Sequence, residues 1–180
     1  RPGGANDTFF VSDVENITWT TIGSLSKVDI YYSNNSSVGP WTEIASNYTN
    51  SGYYNTWTVP NQLVGINRIN VTASYDNTSA KALDESIDFQ IWPKIILSSP
   101  NATNAYIVDG CITVRWSKYG SVGDINITHD GANGSAGFTT IVDDSYDADQ
   151  LFIYWPAPDN LTVDAATKSK IRVKSVAYPA

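Results

Sequence analysis

Ile17-Thr18-Trp19-Thr20-Thr21-Ile22-Gly23-Ser24-Leu25-Ser26-Lys27-Val28-Asp29-Ile30 returns 97 residues later as Val114-Arg115-Trp116-Ser117-Lys118-Tyr119-Gly120-Ser121-Val122-Gly123-Asp124-Ile125-Asn126-Ile127. Apolar side chains fall on apolar side chains, and Gly23 falls on Gly120. The same offset carries Phe9-Phe10-Val11 onto Tyr106-Ile107-Val108, Trp41 onto Phe138 and Ile44 onto Ile141. After one inserted residue, Trp57-Thr58-Val59-Pro60 falls on Trp155-Pro156-Ala157-Pro158, and Arg68-Ile69-Asn70-Val71 later falls on Lys170-Ile171-Arg172-Val173. Matched apolar positions at a fixed offset mean that one core pattern has been used twice.

Within each copy the apolar period is two. Ile17/Trp19, Val28/Ile30, Ile69/Val71/Ala73 and Ile87/Phe89/Ile91 alternate with polar neighbours over short runs, as half-buried antiparallel strands do. Turn residues such as Asn34-Asn35-Ser36, Asn50-Ser51-Gly52 and Asp130-Gly131 punctuate the runs. About seven strands in each copy predict an all-β fold of two tandem Ig-like/fibronectin-like antiparallel β-sandwiches, over residues 1–92 and 93–180. Residues 89–97 pass from one copy to the next with no Gly/Ser spacer, which predicts a stiff joint at Trp92-Pro93. The register further predicts that the first module lacks a leading strand, leaving a groove beside Phe9 to Val11. It also predicts that the second lacks a closing strand, leaving an open edge at Ile171 to Val176.

Eleven of the sixteen asparagines open an Asn-x-Ser/Thr triplet without proline: Asn6, Asn16, Asn34, Asn35, Asn47, Asn70, Asn77, Asn101, Asn126, Asn133 and Asn160. Ser and Thr make up about a fifth of the chain, so chance would supply roughly three such triplets. The excess predicts covalent N-glycans and export to an extracellular or cell-surface location. The competing explanation is that outward alternation in a Ser/Thr/Asn-rich β protein writes such triplets by itself. The pleat places Asn16, Asn70 and Asn126 beside inward apolar residues, hence on outward faces. Adjacent Asn34 and Asn35 cannot both carry a glycan, so ten is the ceiling.

Composition narrows the partners. The net charge is −7 with 16 % charged residues and no Lys/Arg run, which lacks the footprint of a nucleic-acid binder. No apolar stretch approaches the ~18 to 20 residues of a membrane-spanning helix. The start at Arg1, with neither Met nor a signal-peptide apolar region, reads as a soluble chain that is either mature or cut from something larger. The lone Cys111 cannot form an internal bridge and, out of phase with Val114 and Trp116, is expected near the surface as an unreactive residue.

The motif residues Ile17, Trp19, Gly23, Tyr32, Ser33, Trp41, Ile44, Trp57 and Pro60 give a pattern that resembles the Ig-like/fibronectin type III-like repeats of prokaryotic cell-surface glycoproteins of the S-layer or filament kind. It is similar also to the N-terminal domain of the fungal Ser-Thr-rich wall-protein family. The likeness spans both copies and is weaker in the second, where Gly131-Ala132-Asn133-Gly134 replaces the Ser-Asn-Asn-Ser turn. It implies a β-sandwich used as spacer, stalk or lattice module and carries over no catalytic residue.

Chemistry is sparse. The single histidine, His129, precedes Asp130-Gly131 and reads as a surface turn residue; no nucleophile elbow, zinc set or phosphate-binding loop accompanies it. The chain is therefore not expected to be an enzyme, and no cofactor is required. Asp143, Asp144, Asp147 and Asp149 place four carboxylates within seven residues on an expected loop, a density of hard oxygens that suits Ca²⁺. A solvated acidic loop is the competing reading, and Asp84, Glu85 and Asp88 form a weaker second cluster. Tyr53, Tyr54 and Trp92 are candidates for a sugar-stacking platform, whereas Trp19, Trp57, Trp116 and Trp155 recur on inward phases and read as core. Two functions follow from this: a structural module pair that joins copies of itself or adjacent modules head to tail, or an adhesin or carbohydrate-binding module of a larger surface protein.

Overall fold

The structure is a computed structural model that describes residues 8–63, 66–73, 83–101, 110–130, 137–157 and 169–178. It is nearly all β, with one short 3₁₀ turn over Ala148–Gln150. The chain forms two compact units, Arg1–Trp92 and Pro93–Ala180.

In the first unit, β3 (Lys27–Ser33) and β6 (Arg68–Ala73) are the inner strands of a four-stranded sheet, flanked by β4 (Thr42–Thr49) and β7 (Leu83–Glu85). A second sheet pairs β2 (Val14–Thr18) with β5 (Tyr53–Thr58), and β1 (Thr8–Phe10) runs parallel to β8 (Gln90–Trp92). Ile17 and Trp57 from one sheet meet Val28, Ile30, Tyr32 and Ile69 from the other in a single core, with Val11, Val59, Phe89 and Ile91. The alternation that puts these residues inward is what makes the strands: every second β-branched or aromatic side chain leaves water, and the polar ones between stay out.

The second unit repeats the plan. One sheet is β13–β10–β9, with β13 at Phe152–Pro156, β10 at Cys111–Tyr119 and β9 at Lys94–Ser99. The other is β12–β11–β14, with β12 at Thr139–Asp147, β11 at Asp124–His129 and β14 at Ile171–Ser175. Ile112, Val114, Trp116, Ile125 and Ile127 fill its core.

The β3–β6 and β11–β14 ladders match residue for residue. Val28 pairs with Ala73 and Ile30 with Val71 in the first unit; Ile125 pairs with Ser175 and Ile127 with Val173 in the second. Gly23 and Gly120 both take a left-handed φ, at 89° and 81°, so both turns need glycine for the same reason. Even the inserted residue finds its place. Val28 and Ile30 face Tyr48 and Ala45 across the β3–β4 ladder, while Ile125 and Ile127 face Tyr146 and Val142, so β12 takes up one more residue in its bulge.

The expected opening beside Phe9 to Val11 is corrected. Phe9 pairs with Ile91, the Val11 N–H donates to the Trp92 carbonyl at 3.0 Å, and Phe9 packs against Trp57 and Phe89. The side left unpaired relative to the second unit is on β2, whose one ladder partner among the described residues is β5; its equivalent β10 has both β13 and β9. Ile87, expected to face inward with Phe89 and Ile91, is exposed, because the strand breaks at Ser86–Phe89.

Candidate functional site

The sequon asparagines fall into distinct environments. Asn16 on β2 and Asn47 on β4 are exposed, as is Asn101 beyond β9. Asn47 sits at φ 49°, a left-handed conformation that asparagine tolerates, with its N–H donating to the Asp29 carboxylate at 2.7 Å. Asn34 and Asn35 are held in the turn after β3, their amide nitrogens donating to Gln62 Oε1 and to the Gly39 carbonyl. Asn126 on β11 is half-buried and donates to Asp144 Oδ1 at 2.8 Å. Asn6, Asn77, Asn133 and Asn160 lie outside the described residues.

Asn70 corrects the pleat argument. It does face away from the core, but β6 is an inner strand, and between Tyr31 on β3 and Glu85 on β7 its side chain is 8 % exposed. Its Oδ1 and the Oγ1 of Thr72 are buried with no hydrogen-bond partner. Outward is not solvent when neighbouring strands close over the position.

The four candidate Ca²⁺ carboxylates are on β12 and the 3₁₀ turn, not on a loop. Each is engaged separately. Asp144 accepts from Asn126, Asp143 from Ser145 Oγ, and Asp147 caps the 3₁₀ turn by accepting from the Asp149 N–H, while Lys118 pairs with Asp149. Among the described residues no three His, Cys, Asp or Glu side chains gather as a metal would need. In the second cluster Arg68 pairs with both Glu85 and Asp88. That guanidinium, with Ser36 Oγ donating as well, holds the Asp88 carboxyl below its usual range.

Tyr53 and Tyr54 are not brought together on one face. Tyr53 and Tyr54 are consecutive on β5 and face opposite ways: Tyr53 is exposed, while Tyr54 packs edge-on against Tyr48 beside the core. Trp92 is half-buried on β8 and donates its indole N–H to Gln90 Oε1 at 3.0 Å. Sequence reading missed a different exposed pair, Phe152 and Tyr154 on β13, with ring centroids 5.4 Å apart and Arg115 lying over Phe152. Alternation on β13 could have found it.

His129 is not a surface turn residue. It ends β11 at the place of Tyr32 on β3, is 7 % exposed and packs on Trp155 with centroids 4.7 Å apart, as Tyr32 packs on Trp57. Its Nδ1 is buried without a partner. Burial pushes the imidazole below its ordinary value, against the opposing pull of Asp130. A depressed folded value means that the neutral ring is the folded form. The stability it allows is complete above about pH 6.5, the unfolded value, and is lost as pH falls through the folded value. Urea melts of the second unit, followed by exchange of β11 and β14 amides, are expected to weaken from pH 7 towards pH 5 in the native chain. His129→Phe is expected to flatten that slope, and a native slope unchanged by this variant would refute the assignment.

The indole N–H groups are satisfied in parallel: Trp19 donates to Asn50 Oδ1 at 2.7 Å and Trp116 to the Ala148 carbonyl at 3.0 Å. Both acceptors stand between the fourth and fifth strands of their copies, so these tryptophans tie that connection to the core. No helix among the described residues is long and apolar enough to cross a membrane. A scan against protein-family models found no match, and a search of curated proteins found no similar sequence.

Proposed function

We propose that this chain is a structural, N-glycosylated extracellular pair of Ig-like β-sandwich modules from a surface array, filament, stalk or S-layer-like coat, joined to copies of itself or to adjacent modules head to tail by strand addition. The observation that carries the reading is the sequon excess, with Asn16, Asn47 and Asn101 exposed where a glycan has room. Two copies of one core, in which among the described residues β2 and β14 each lack a ladder partner that the matching strand has, support the assembly part. Strand addition satisfies such an edge through main-chain bonds, and a heterologous contact of this kind propagates instead of closing. The reading requires no catalytic residue, no cofactor and no nucleic acid.

Site-resolved glycopeptide mass spectrometry of protein from its native source tests it. Glycans at Asn16, Asn47 and Asn101 are the expected result, and three bare asparagines would remove the coat reading. The adhesin alternative draws on the exposed Phe152–Tyr154 pair, since Tyr53 and Tyr54 face opposite ways. Saccharide binding lost on Tyr154→Ala would favour it.

A further inference from the structure

The outer face of the β2–β5 sheet sets an exposed sequon and an exposed aromatic ring side by side. Ile17 and Trp57 enter the core from this sheet, so Val14, Asn16 and Thr18 on β2 turn outward, as do Tyr53 and Thr58 on β5. Their neighbours follow from the ladder: Val14 stands opposite Thr58 and Thr18 opposite Tyr53. Between those pairs a bulge sets Asn16 alone against Asn55 and Thr56, both exposed.

Asn16 and Tyr53 are therefore diagonal neighbours on one face, with backbones roughly 7–8 Å apart, a separation that aromatic and long side chains span. Thr18, the third residue of the Asn16 sequon, is the residue directly opposite Tyr53. Tyr54 has the Tyr48 ring against it, whereas the Tyr53 ring is 51 % exposed and meets no ring or cation among the described residues. Such a ring keeps apolar surface in water and a negative π face without a partner. One side of a pyranose presents C–H groups that suit that face, and its hydroxyls can stay in water or bond to Asn55 and Thr56.

We propose that Tyr53 is the seat of the glycan on Asn16: the first sugar, linked to Asn16 Nδ2, lies across Thr18 with its C–H face on the Tyr53 ring. The inference rests on the reading above for the presence of a sugar at Asn16 and adds where that sugar goes. It gives Tyr53 a ligand within its own chain, so the glycan is packed against the β2–β5 sheet and stabilises it. An exposed aromatic on this face then needs no external saccharide and no second copy to cover it.

The test uses the full chain made in a glycosylating host, with its glycans trimmed by an endoglycosidase to a single N-acetylglucosamine at each occupied site. Aromatic ring currents are the readout: the C–H protons of the Asn16 sugar are expected to resonate upfield of those on Asn47 and Asn101. Tyr53→Ala is expected to abolish that displacement with the sugar still attached. Tyr53→Phe should keep it, because the ring and not the hydroxyl makes the contact. Amide exchange gives a second measure. Removing the sugar by Asn16→Gln should raise the opening of β5 amides about threefold in the native chain, the size of one cross-strand pair, and leave it unchanged in Tyr53→Ala. An Asn16 sugar with undisplaced protons, or a displacement that survives Tyr53→Ala, would overturn the proposal and leave the coat reading intact. A bare Asn16 beside sugars on Asn47 and Asn101 would do the same. Saturable binding of free chitobiose at Tyr53 with the Asn16 sugar in place would give the ring to an external ligand and overturn it equally. Bare Asn16, Asn47 and Asn101 in protein from the native source would sink both readings together.

Discussion

Trp57→Ala is expected to cost the first unit about 3–5 kcal/mol, the range for deleting a large aromatic from a packed core, and so to remove much of the 5–15 kcal/mol that a domain holds in reserve. Trp57 is 5 % exposed and is ringed by Phe9, Tyr32 and Phe89, at centroid distances of 6.2, 5.9 and 6.0 Å. Those neighbours arrive from β1, β3 and the segment before β8. Truncation therefore opens a void where three strands converge, and aromatic neighbours this large cannot collapse to fill it. The counterpart Trp155 is half-buried and has His129 as its ring partner, with no described residue where Phe89 would stand. Trp155→Ala is accordingly expected to cost about 2 kcal/mol, nearer the low end for core truncation. Urea melts read through exchange of β3 and β6 amides for one variant, and β11 and β14 amides for the other, measure both. A Trp155 variant more damaging than the Trp57 variant would show that the two cores are not packed as described.

The repeat was legible because both copies use the same inward positions. Val28 and Ile30 needed only the period-two rule to match Ile125 and Ile127, and the ladder partners then followed at fixed distances along the chain. One departure has the cause that alternation assigns a face without saying what lies over it. Asn70 was assigned to the correct face of β6, yet β3 and β7 flank that strand and the face is closed. The neighbours of His129, Asp130-Gly131, point to a turn, whereas its register with Tyr32 points to the core. The carboxylates from Asp143 to Asp149 looked like a loop because strand propensity is low for Asp, but β12 is an edge strand, where charged residues are tolerated and protect the edge. Tyr53 and Tyr54 are adjacent in sequence but not in space. On a strand, consecutive residues part to opposite faces.

The sequon Asn70-Val71-Thr72 is expected to stay unmodified while Asn16, Asn47 and Asn101 carry glycans, and one variant separates this from the alternative. Thr72 is 7 % exposed, and its hydroxyl, like the Asn70 carbonyl oxygen, is buried without a partner. A buried polar atom with no hydrogen bond costs about 1–3 kcal/mol, since it has given up water and gained nothing. Thr72→Val replaces that hydroxyl with a methyl of nearly the same size on a strand that favours β-branched side chains, so the first unit should gain about 1 kcal/mol. The same change destroys the sequon, because the hydroxyl at the third position is part of the acceptor signal. Expressed in a glycosylating host, the variant should then keep its full glycan mass and melt higher. If it instead lost one glycan and some stability, Asn70 would have to lie open to solvent in the folded chain. The strand Leu83–Glu85 could not then cover β6.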